Sequence, residues 1–233
     1  MIDEYQQGIN MDDQKPYRSF FQVMVSLLDT PMNPNDEDQP YIVGRENIKA
    51  IMVDMVAASF DTTSTAIEWT FTELLRHPRV MVALQKELES VVGRNRMVEE
   101  SDLPKLAYLD MVIKESFRLH PVGPLLIPHE STEDVTVNGN AEEFFPERFK
   151  DRKIDLRGHN FELIPFGTGR RGCPGMQLAL TSVRFILAQL AHCFDWELPD
   201  GMLPNELDMT EKFGLSLPRA NHLLVKPTYH LIA

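Results

Sequence analysis

The sequence predicts a mainly α-helical protein with a minor antiparallel β-sheet. Three observations carry this. Long runs of helical periodicity end at residues that stop helices: His77-Pro78, Gly93 and His120-Pro121. The best strand-like runs, CFDWEL and HLLVKPTYHL, are short and lie near the C-terminus, and Pro227 within the second suits an edge strand. Upstream of them the chain is helical where a parallel sheet would need repeated βαβ units.

Size and charge narrow the function. A chain of 233 residues with 43% hydrophobic content can bury a core as one large domain or two small ones. A formal charge of −12 lacks the basic footprint of nucleic-acid binding, which excludes DNA and RNA as partners. Two cysteines, Cys173 and Cys193, are too few for a disulfide framework or a zinc site, and suit a reducing compartment. The opening MIDEYQQGINMDDQ holds four acids and no apolar run, so neither signal peptide nor membrane anchor is expected and the chain reads as cytosolic.

Residues 1–44 read as a polar N-terminal segment and 45–233 as one domain. Residues 1–19 are polar and expected to fray, Phe20 to Leu28 suits a short amphipathic helix, and DTPMNPNDEDQP, with three prolines, is an exposed loop. A helical pattern then runs from Arg45 to Arg76, which spans about 45 Å. Its apolar middle contains Asp54 and Asp61, which argues for a central buried helix and against a membrane span. Ala58, Asp61, Thr62 and Thr65 share one stripe, an acid and hydroxyls on an apolar rod. The ordinary explanation is that the threonines bond back to carbonyls and Asp61 finds a cation.

Pro78 to Val92 is a second amphipathic helix closed by Gly93, and Tyr108 to Leu119 a third, carrying Glu115 and Arg118. Such a pair is ordinarily a surface ion pair. VGPLLIPHE reads as an apolar strand. Val135-Thr136-Val137 then alternates like a strand into Asn138-Gly139, the strongest hairpin signal, yet NAEEFFPERF follows where a return strand should be.

The stretch Phe161 to Gly175, FELIPFGTGRRGCPG, carries the chemistry. Cys173 sits among four glycines, beside Arg170 and Arg171, with the helix Met176 to His192 starting just beyond; cations and a helix N-terminus both favour a thiolate ligand. Gly172 and Gly175 leave room for something large and flat. Two other readings stay open on the loop alone. One is a dinucleotide turn, since Gly167, Gly169 and Gly172 spell G-x-G-x-x-G with Asp195 about 20 residues on. The other is a buried structural cysteine.

Phe166, Gly169, Arg171, Cys173 and Gly175 at the spacing F-x-x-G-x-R-x-C-x-G resemble the haem-binding loop of the cytochrome P450 family, most of all its plant microsomal members. The resemblance implies that Cys173 is the axial ligand of haem iron, that Arg171 pairs with a propionate, and that Phe166 packs near the sulfur. ASFDTT resembles the family's A-G-x-(D/E)-T-(T/S) segment, which makes Asp61 and Thr62 the proton-relay pair of the oxygen groove. Ser59 and Phe60 depart from that pattern, which bears on the width of the groove. KESFRLHP and Pro146-Glu147-Arg148-Phe149 resemble the segments whose glutamate and two arginines form a buried cluster, here Glu115, Arg118 and Arg148. VGPLLIPHE resembles the segment that crosses the haem, with His129 on a propionate and Val122 to Ile127 toward substrate; Phe213 to Leu217 resembles the last substrate-contacting turn. Family members carry extra sequence near Gly139 to Ala141, so an internal piece looks deleted there, and the whole resembles the C-terminal half of a member, without its N-terminal anchor.

By resemblance the activity is a haem-thiolate monooxygenase on an apolar small molecule, supplied by NADPH through a reductase, at the cytosolic face of the endoplasmic reticulum membrane. Seven Lys or Arg between Glu147 and Arg171, against four acids, form either a solvated face or the docking patch for that reductase. The competing expectations are a non-catalytic fragment that keeps the motifs and, from the glycine turn, a nicotinamide-dependent oxidoreductase.

Overall fold

The computed structural model describes residues 19–32, 41–124, 126 and 143–231. Among the described residues five α-helices lie in chain order: α1 (Phe20–Ser26), α2 (Arg45–Arg76), α3 (Pro78–Val92), α4 (Ala107–Leu119) and α5 (Met176–Cys193). Two strands follow, β1 (Phe194–Glu197) and β2 (Lys226–Tyr229). They pair antiparallel, with Pro227 opposite Trp196. Short 3-10 turns link the helices. Backbone contacts divide the chain into two compact units between Ala58 and Ser59, inside α2.

In the first unit Ser19 and Gln22 form a reciprocal capping box that starts α1. Met24, Val43 and Ile48 make a small apolar cluster, with Leu27, Leu28, Ile51 and Met52 packed against it. In the second unit three amphipathic helices meet. Val80, Leu84 and Leu88 of α3, Leu109, Val112 and Ile113 of α4, and Val183, Leu187 and Ala191 of α5 are all buried in one cluster. Each large side chain there stabilises the fold by about 1.5–3 kcal/mol. Pro78 opens α3 at a position with no hydrogen bond to lose, and Gly93 (φ 86°) ends it in a conformation glycine tolerates best.

The helix boundaries follow the stop signals closely, but the burial of α2 does not match the sequence reading. Thr65, Ala66 and Trp69 to Leu74 are buried, whereas Val53 and Val56 are exposed, and Phe60 is 86% exposed. The reason is where partners meet it: Thr70 bonds Ser116 of α4, Phe71 touches Trp196 of β1, and Trp69 bonds Leu217, all within its C-terminal third. Residues 121–124 form a bend and turn, so VGPLLIPHE does not begin as a strand. Residues 1–18, His129, Val135 to Val137 and the Asn138-Gly139 turn lie outside the described residues.

Candidate functional site

The cysteine loop is built by its own backbone. Gly167 N–H donates to Ile164 C=O (3.0 Å), Cys173 N–H to Phe166 C=O (2.8 Å) and Gly172 N–H to Gly169 C=O (3.1 Å). Gly169 takes φ 66°, in the left-handed region. Gly158, which the sequence reading passed over, is where another strand of backbone crosses: a Cβ there would fall 2.6 Å from Gly167 O. Thr168 Oγ1 donates to Gly158 C=O (2.8 Å) and closes that crossing.

Cys173 emerges exposed from this loop, three residues before α5 begins; Cys193, at the far end of α5, is the buried cysteine. The structural-cysteine reading therefore fails for Cys173. The dinucleotide reading fails too, because Phe161 to Phe166 form turns with no strand among them. The sheet found among the described residues is a single antiparallel pair, not a βαβ unit.

The cluster that the resemblance implied is present and buried. Glu115 of α4 is fully buried and accepts Arg118 Nε (2.9 Å) and Nη2 (3.0 Å), Arg148 Nε (2.8 Å) and the Phe145 N–H (2.8 Å). Both guanidinium groups also donate to the Glu143 carbonyl, at 3.4 Å from Arg118 and 3.0 Å from Arg148. Glu147 makes a second tie beside it, receiving Arg79 Nη1 (2.6 Å) and the Tyr108 hydroxyl (2.9 Å). Burial, then the bond to Glu147, pushes the Tyr108 phenol up to about 12. From the same helix Phe117 meets Phe166 edge to face at 5.8 Å, so α4 bears directly on the residue whose carbonyl holds the Cys173 amide.

On α2, no cation among the described residues pairs with Asp61, against the ordinary explanation of an acid there. Its carboxylate accepts a hydrogen bond from the Ser216 hydroxyl, in the Phe213 to Leu217 turn. Thr62 is exposed beside it. Leu217 is gripped on both sides: Trp69 Nε1 donates to its carbonyl (2.8 Å), and its own N–H donates to Val122 C=O (2.9 Å). The two segments assigned to the substrate side are thus joined to each other and to α2. A cleft of about 430 Å³ runs along this edge of the helix, walled by Ile67, Phe71, Trp196 and Leu223, with Asp61 and Glu68 at its rim.

Three groups here escaped the sequence reading. His77 and His120 were read only as helix stops, yet both imidazoles converge on the buried Glu73. His120 Nε2 lies 2.6 Å from Glu73 Oε1, His77 Nδ1 lies 3.1 Å from Oε2, and the His120 ring stacks flat on Trp69 at 4.1 Å. The third is Arg219, buried over the Trp69 ring (5.7 Å) and donating to Thr72 Oγ1 and to the Asp208 carbonyl. The only available signal was the pairing of Glu73 with His77 four residues on.

Burial pushes the Glu73 carboxyl up, but hydrogen bonds from His120 and His77 outweigh it and hold it at about 2, against an ordinary 4.5. His77 is held above its ordinary 6.5, first by its bond to Glu73 and against the opposing effect of burial. The Glu73 contribution to stability is present above 4.5 and lost as pH falls toward 2; the His77 contribution is present below 6.5 and lost as pH rises through its folded value. We therefore expect the thermal midpoint to fall as pH rises above 6.5, and His77→Gln to flatten that limb. An equal slope in the variant would assign the loss to other groups.

The thiol can be tested against haem on this geometry. Its flank is open at Gly175, where a Cβ would lie 3.9 Å from Sγ, and Arg171 is an exposed cation two residues before it. Among the described residues no three His, Cys, Asp or Glu side chains gather as a metal cage. One sulfur donor beside an arginine suits a metal that brings its other ligands with it on an anionic ring, so the residues fit the group.

Fold and site together define a helical protein with a single exposed thiol donor and a buried carboxylate held between two arginines. The comparisons agree. The family model of Cytochrome P450 matches residues 1–141 and 139–225. Cytochrome P450 CYP736A12 of Panax ginseng is 50% identical over 256 residues, covering 99% of this chain and 51% of that protein. Cytochrome P450 84A1 of Arabidopsis thaliana is 45% identical (81% and 41%), and Cytochrome P450 71A1 of Persea americana 44% (75% and 40%). The chain belongs to the cytochrome P450 family.

It spans about half the length of the curated relatives it matches. The two matched stretches meet at 139–141, where the hairpin signal has no return strand. The ginseng alignment, longer than this 233-residue chain, also requires gaps in it. The family match begins at residue 1, further toward the N-terminus than the motifs alone reach. Among the described residues no helix is long and apolar enough to cross a membrane.

Proposed function

We propose that this chain is the haem-bearing part of a monooxygenase that places one oxygen atom of dioxygen into an apolar small molecule and releases the other as water. Two electrons come from NADPH through a reductase, and two protons from the protein side. The observation that carries the reading is the exposed Cys173 thiol, presented by the Phe166 carbonyl bond beside Arg171 in a chain of this family.

Haem, when bound, supplies the redox centre at which dioxygen is activated. Cys173 would give it a sulfur ligand, Arg171 and, by the resemblance, His129 would pair with its propionates, Phe166 would pack near the sulfur, and Gly169 and Gly175 would let the ring approach the backbone. Glu115, Arg118 and Arg148 hold the loop. Asp61 and Thr62 hold and pass the protons. The turn Phe213 to Leu217 and the segment from Val122 present apolar side chains to substrate; Phe213 and Leu215 are 87% and 89% exposed and available for that contact.

Lys150, Lys153, Arg157, Arg170 and Arg171 are exposed around the loop and suit an acidic face of the reductase. By the same family resemblance we assign the complete protein to the endoplasmic reticulum membrane. A second reading, a fragment that keeps the motifs without turnover, is favoured by the break at 139–141.

The test is spectroscopic. Reduced protein with carbon monoxide should show the red-shifted Soret band of thiolate ligation, and Cys173→Ser should abolish it. The same band in the variant would sink the ligand assignment.

A further inference from the structure

A carboxylate on a helix surface is not oriented by its own chain, because the terminal torsion of aspartate is broad and nearly two-fold. Asp61 is exposed, yet one of its oxygens is committed: the Ser216 hydroxyl donates to Oδ2 from 155 residues away in sequence. That hydroxyl sits on a turn with a rigid base. Lys212 N–H donates to Pro218 C=O (2.8 Å) and Ala220 N–H to Thr210 C=O (2.7 Å). Leu217 is tied to Trp69 and to Val122, and the next residue but one, Arg219, is buried over the Trp69 ring and bonded to Thr72. The tip of the turn is the opposite. Phe213 and Leu215, on either side of Gly214 and just before Ser216, project almost wholly into solvent.

From this geometry we infer that Ser216 is a positioning residue for Asp61, and that through it the apolar turn sets how the carboxylate faces its groove. With Oδ2 held by the hydroxyl, Oδ1 is left to take and give the proton. An apolar ligand pressing on Phe213 or Leu215 bears on Ser216 and so on the acid, which ties occupancy of the substrate side to the readiness of the relay. The inference rests on the proposed role of Asp61 as the relay acid.

Two measurements on the 233-residue chain decide it without bound haem. Amide hydrogen exchange at Leu217 should speed up about fivefold in Ser216→Ala and in Asp61→Ala, the factor one net hydrogen bond is worth. The double variant should exchange no faster than either single one, because both remove the same bond. In protein labelled with 13C-aspartate, the carboxylate infrared band that disappears in Asp61→Asn should shift in Ser216→Ala and return to its place in Ser216→Thr. Additive exchange rates, or a band that Ser216→Ala leaves unmoved, would overturn the positioning role whatever Asp61 does. If exchange and infrared behave as expected but Asp61→Asn leaves the coupling of oxygen use to product unchanged in a full-length family framework, the relay reading has failed. Ser216 then still orients the carboxylate, but one with no part in the reaction, so the relay reading and the tie to the substrate side are overturned while the Ser216–Asp61 positioning stands.

Discussion

Glu115→Ala should leave the protein largely unfolded or unable to retain haem, a loss of about 3–5 kcal/mol. The carboxylate is completely buried and is the common acceptor for Arg118, Arg148 and the Phe145 amide. Truncating it does not merely delete four hydrogen bonds. It leaves two largely buried guanidinium groups facing each other with no anion between them, and a backbone N–H with no acceptor. Against a total stability of about 5–15 kcal/mol for an ordinary domain, that is a large share. Thr62→Ala is the contrast: the residue is exposed, and the change should cost about 1 kcal/mol or less and leave haem binding intact. Urea unfolding of the two variants beside the parent separates them. A Glu115→Ala protein as stable and as haem-replete as the parent would show that the two arginines find other partners and that the cluster is not what braces the loop.

The difference between these two substitutions also marks what was readable in the sequence. Helices announce their own ends, so α2 and α3 fall where His77-Pro78 and Gly93 put them. The Glu115 cluster was readable only through resemblance, because an isolated Glu and Arg three residues apart look the same on a wet surface as in a core. Glu73 shows the general difficulty. Its partners are the caps of two different helices, and nothing local distinguishes a histidine that stops a helix from one that stops a helix and also closes over a buried acid. Arg219 is similar: a cation in a polar C-terminal stretch reads as surface until Trp69 and Thr72, far earlier in the chain, are known to lie over it. The exposed middle of α2 failed for the opposite reason, since apolar composition shows what a face can bury but not whether anything in this chain meets it.

That exposure leads to the second large effect: the 233-residue polypeptide on its own should give no substrate turnover. Asp61 and Thr62 are exposed, Cys173 is exposed, and Phe161, Leu178, Phe213 and Leu215 around them are mostly in solvent. Oxygen activation needs a dry and shaped pocket, because water reaching the centre discharges the oxidising equivalents without product. The family match breaks at 139–141, near the segment that resembles the one crossing the haem, so the chain departs there from the family's continuous pattern. The apolar side chains left in water, Val56 and Phe60 of α2 among them, also favour self-association. The experiment compares this chain with a version carrying the ginseng relative's residues at the break and its remaining length. Haem content, oxygen consumed with reductase and NADPH, and product formed are measured on both. The lengthened protein should form product with oxygen use coupled to it, while the chain alone should consume oxygen, if it does so at all, with none. Comparable product from the two would mean that the 233 residues by themselves exclude water well enough for the chemistry, and that the exposed faces around Cys173 and Asp61 close when haem and substrate bind.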